Sequence, residues 1–318
     1  MQDKVTAQMV TDAITRFEVN AAKNFRHDDP DLTPRTLPVL VASNVSVDEA
    51  EMFFTSRVAN LATFFQDDAT GDVFVTKVSN APANRALEGL DNGVAGYVNA
   101  YSPFLYGDVD IEMLISPSYV VFDYAIQPRL LPAGEVDAEP PRGVPTFRIV
   151  IEIEYNDRTL SELQVWATRL LGSPLIRAFV GIFVFNRYPD GTFAMLAVLF
   201  RRDADGNVVV FDAASFGTRA LHPSVMSVVN EMPFAQGAAL RELPLPPVVV
   251  PHEGGCLCAY IREDDSPPIP AAWSGSNPSI TVPGEDVFWM APAPAMDPLP
   301  DLVIDLWRIY YKVASCRN

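Results

Sequence analysis

Residues 147–202 read FRIVIEIEYNDRTLSELQVWATRLLGSPLIRAFVGIFVFNRYPDGTFAMLAVLFRR, and the punctuation of this stretch decides the fold. Residues 148–155 alternate β-branched side chains around Glu152 and Glu154, so both carboxylates leave one strand on the same side. Residues 160–171 set Leu160, Leu163, Ala167, Leu170 and Leu171 at helical spacing, and Gly172 stops the run. Two further apolar blocks, 178–185 and 192–200, read as strands joined at the turn Tyr188-Pro189-Asp190-Gly191. Strand, helix, strand and hairpin strand in that order predict an α/β (α+β) chain with a mixed central sheet and flanking helices.

Composition narrows the class. A chain of 318 residues can bury a substantial core, and 49% hydrophobic with 20% charged residues is the balance of a folded soluble protein. No apolar run approaches the roughly 20 residues that cross a bilayer, so no membrane contact is expected. The start, MQDKVTAQMV, shows no basic segment, apolar core or cleavage site, which predicts an intracellular address, cytoplasmic or nuclear. Cys256, Cys258 and Cys316 are an odd number, unlike a disulfide scaffold. A formal charge of −17 repels phosphate backbones, so DNA becomes a partner only where a local basic groove exists. A protein partner or a homo-oligomer is compatible with that charge.

Outward from the central stretch, residues 5–17 form an amphipathic helix that can extend to Phe25, and 37–42 a short strand. Ser46 and Glu49 make a capping box that opens a helix to about Phe65. A strand follows at 73–78, then a helix at 83–101 with Pro82 near its first turn. Gly89, Gly93 and Gly96 each weaken that helix by about 1 kcal/mol relative to alanine, and their spacing suggests close packing against another element. Asp108, Asp110 and Glu112 alternate on one strand face, as on a solvated edge that resists strand-to-strand aggregation. Residues 119–126 are a strand, 128–146 a proline- and glycine-rich loop, and 203–206 a second hairpin turn that pairs 208–211 back onto 196–200. A short helix is expected at 224–231. From Leu243 prolines crowd the chain, leaving short strands at 256–262 and 279–282, and the tail 301–315 reads as a helix or a long edge strand. Three regions result: an N-terminal extension at 1–75, an α/β core at 76–220 and a proline-rich extension at 221–318 that wraps the core.

The order helix, strand ending near Asp123, strand carrying Glu152, helix, strand resembles the PD-(D/E)XK nuclease superfamily, and within it the Uma family of candidate restriction endonucleases. The likeness covers roughly residues 80–220, and its sharpest piece is IVIEIEYNDRTLSEL followed by a helix and VGIFVF. It implies a restriction-endonuclease-like topology and a magnesium ion held by carboxylates on adjacent strands, which polarises a phosphodiester and activates a water. Glu152 matches the second acid. Glu154 stands where a lysine would, and the lysine of the following helix falls near Trp166. Pro117 matches the first motif, but Ser118 replaces its aspartate, and a serine hydroxyl is a poor magnesium ligand. Asp123, five residues later in the same strand, can substitute only where register or strand curvature allows, and Glu88, or Asp91, on the preceding helix could weakly supply a third acid. The implied catalytic set is Glu152, Asp123 and Glu154, and the metal set Glu152, Asp123 and Glu88, with magnesium if the protein is active and otherwise no cofactor. These departures point to degenerate or weak catalysis with a binding or structural role; an active endonuclease and a scaffold subunit of a larger assembly are the alternatives.

Other residue types carry less. His252, Cys256 and Cys258 have zinc-binding chemistry without a four-ligand spacing. His27 and His222 lie in turns with no nucleophile elbow nearby. Trp307, Tyr310 and Tyr311, with Arg308 and Lys312, could stack on bases, but core packing is the expected use.

Overall fold

The computed structural model of the chain describes residues 5–24, 39–46, 49, 62–67, 70–78, 81–115, 118–129, 147–155, 159–245 and 278–315. At its centre is a seven-stranded sheet in the order β10-β9-β8-β7-β6-β5-β4. These strands are β4 (Leu105–Ile115), β5 (Ser118–Pro128), β6 (Ile149–Glu154), β7 (Ala178–Val184), β8 (Ala194–Arg202), β9 (Val208–Gly217) and β10 (Leu240–Pro244). Pairing is antiparallel except between β6 and β7 and between β9 and β10. The expected mixed sheet with flanking helices is what forms, and the acidic strand Leu105–Ile115 lies at its edge, as its charge pattern requires.

Strand alternation builds two cores. Ile149, Ile151 and Ile153 face a layer made by the helix Ala81–Ala100, the antiparallel pair β11 (Ser279–Val282) and β12 (Leu302–Asp305), and the helix Leu306–Ser315. Val150 faces the opposite layer, formed by the helices Leu160–Leu171 and Pro223–Glu231. Leu160–Leu171 begins at a capping box: Thr159 Oγ1 accepts from Glu162 N at 3.3 Å, and Glu162 Oε2 accepts from Thr159 N at 2.8 Å. All five of its predicted apolar-face residues are buried. A third, smaller core joins the helix Ala7–Asn24 to the sheet of β1 (Val39–Ala42), β3 (Asp72–Val78) and β2 (Ala62–Asp67).

Two expectations change. Ser46 Oγ does accept from Glu49 N at 3.3 Å, but residues 62–67 are strand rather than helix. Thr63, Phe64 and Phe65 are β-formers, and pairing with β3 decides their conformation. The tail is both strand and helix: Leu302–Asp305 pairs with β11, then Asp305 Oδ1 accepts from Trp307 N at 2.9 Å and starts the last helix. That helix buries Trp307, Tyr310 and Tyr311, so the aromatic tail packs the core. The segment from Pro278 onward is tied down by Tyr97 Oη donating to Pro300 O at 2.8 Å and Arg187 Nη2 donating to Val313 O at 2.6 Å. The loop at 130–146, the strand expected at 256–262, and His27, His252, Cys256, Cys258 and Cys316 lie outside the described residues. No helix among the described residues is long and apolar enough to cross a membrane.

Of the three glycines in Ala81–Ala100, only Gly89 is pressed by a neighbour's backbone. A Cβ there would stand 2.8 Å from Ile309 Cα and 3.0 Å from Arg308 O, whereas Gly96 has nothing within 4 Å. Gly89→Ala is therefore expected to destabilise by about 1–3 kcal/mol through overpacking. Gly96→Ala should stabilise by about 0.5–1 kcal/mol through helix propensity. Urea denaturation of the two variants checks both signs, and equal effects would remove the distinction.

Candidate functional site

Glu152 and Glu154 leave β6 on the face covered by the helix Leu160–Leu171, two residues apart and on the side of Val150. They are 2% and 1% exposed, and both have partners within the protein. The parallel register sets Glu152 against Gly181 and Glu154 against Phe183. Gly181 is a notch: a Cβ there would run into Leu163 Cδ2, so the missing side chain lets the crossover helix settle beside Glu152. An isolated glycine in the apolar block AFVGIFV was the sequence signal for this close approach.

Asp123 comes to the same place from β5. Described pairing of β5 with β6 covers Tyr124–Ile126, and one further rung would set Asp123 opposite Glu152. There β5 changes sides, since Tyr124 and Ile126 belong to one core and Phe122 to the other. Asp123 Oδ2 accepts from Ile153 N at 2.6 Å, taking up a backbone donor where the ladder between the two strands ends. Ser118, by contrast, pairs with Ile115 at the tip of the β4–β5 hairpin. Five residues of strand put it about 16 Å from Asp123. The position that meets Glu152 in space is thus Asp123, and Ser118 is not part of the site.

Glu88 is not brought to this face. Its helix lies on the opposite side of the sheet, and its carboxylate receives Lys312 Nζ at 2.6 Å and Arg85 Nη1 at 2.6 Å. Trp166, in the place of the helix lysine, packs at the margin of the second core with the Arg169 guanidinium 5.4 Å from its ring centroid. His222 caps its helix by accepting from Ser224 N at 3.3 Å.

No protein-family model matches the sequence. No curated protein matches it either. Among solved structures, one similar fold is a DUF820 protein of Anabaena variabilis described as a candidate nuclease. It is 13% identical, with a TM-score of 0.37, over 58% of this chain and 92% of the other. Another is the effector protein RavZ of Legionella pneumophila, 8% identical with a TM-score of 0.25, over 54% of this chain and 49% of its own. Neither likeness is close enough to bear on function, which rests on the residues.

Fit to magnesium is poor among the described residues. The ion takes one or two carboxylates but keeps several waters, and Glu152 and Glu154 have almost no exposed surface. One Asp123 oxygen already accepts from backbone, and no three His, Cys, Asp or Glu side chains among the described residues are grouped to hold an ion.

The Glu88 contact has a testable consequence. Burial alone would raise its pKa, but the hydrogen bonds and charges of Lys312 and Arg85 outweigh burial and hold it below the ordinary glutamate value. A carboxylate depressed on folding adds stability that is fully present above its unfolded pKa and is lost as pH falls through the folded one. Glu88→Gln is expected to cost about 1–3 kcal/mol at neutral pH, since Lys312, its side chain 4% exposed, loses its acid. The gap to wild type should narrow as pH is taken below 4.5. Thermal melts across that range check it; a gap independent of pH would remove the ionic account.

Proposed function

We propose that the chain is a nuclease-like α+β protein that works by binding, with hydrolysis weak or lost. The nuclease-like part is supported by the order of elements from Ala81 to Val184, which is the order that the family resemblance implies. The observation that carries the loss of hydrolysis is the burial of Glu152 and Glu154, at 2% and 1% exposure, beneath a packed helix. A phosphodiester and a hydrated cation both need room beside these carboxylates. Trp166 and Glu154, where the resemblance places lysines, supply no cation to balance charge on a transferring phosphate.

A second reading has one observation in its favour. Asp123 and Glu152 meet on adjacent strands, the arrangement of a carboxylate pair that could share magnesium in an active DNA endonuclease. Supercoiled plasmid incubated with magnesium or manganese separates the two readings. Wild type and Glu152→Gln are expected to leave it intact equally. Metal-dependent nicking by wild type that Glu152→Gln abolishes would overturn the binding reading.

A further inference from the structure

We draw no further inference here: the strongest candidate, the carboxylate cluster of Asp123, Glu152 and Glu154 where β5 meets β6, belongs to the site already described.

Discussion

Two parallel neighbouring strands cannot be joined by a hairpin, so the chain between β6 and β7 must cross one face of the sheet. The helix Leu160–Leu171 makes that crossing, and the notch at Gly181 sets how near it comes. Most of the second core follows from this contact. Leu163 fills the notch, Phe179 and Phe183 pack to either side of it along β7, and Glu152 and Glu154 are enclosed on the neighbouring strand. Carboxylates so placed persist because they are partnered inside the protein, since an isolated buried charge is very costly.

The opposite face is closed by the C-terminal segment, and cations hold its joints. Lys312 is 3% exposed against Glu88, Arg187 donates to the last carbonyls of the final helix, and Arg148 reaches Trp289 O. Arg202 works on the other layer, donating to Leu171 O and, at 2.9 Å, to Ser173 O. In an acidic chain this use of basic residues has an electrostatic result. Positive charge is withdrawn into contacts that secure the fold, while the solvated surface keeps the acids that repel phosphate backbones.

Local periodicity made most of the fold legible. The five apolar positions of Leu160–Leu171 sit at helical spacing, and the hairpin turn before β8 carries proline, aspartate and glycine, so neither needed tertiary information. Residues 62–65 were not legible, because their conformation is decided by pairing with a strand ten residues on. Within the site, the shared face of Glu152 and Glu154 followed from strand alternation. Their burial did not, because alternation fixes a side and says nothing of what covers it. Ser118 could be set aside on chemistry alone, as a poor magnesium ligand, and Asp123 named in its place. Their separation in space was not legible, because it takes the β4–β5 register to put Ser118 at the hairpin tip and the contact of β5 with β6 to put Asp123 on Ile153 N.

Whether a carboxylate pair can hydrolyse phosphodiesters depends on access as much as on spacing. Reaching Glu152 through the crossover helix would unpack Leu160, Leu163, Leu170 and Leu171, at about 1.5–3 kcal/mol for each leucine. That sum approaches the ~5–15 kcal/mol by which a whole domain is stable. Approach along the strand from Glu154 meets a side chain that is buried still more deeply, at 1% exposure. Asp123 adds a second constraint, because drawing its carboxylate toward an ion would surrender the Ile153 N–H that it satisfies where the ladder ends. Asp123 thus satisfies a backbone donor at the ladder's end in the position that spacing alone would assign to a metal ligand.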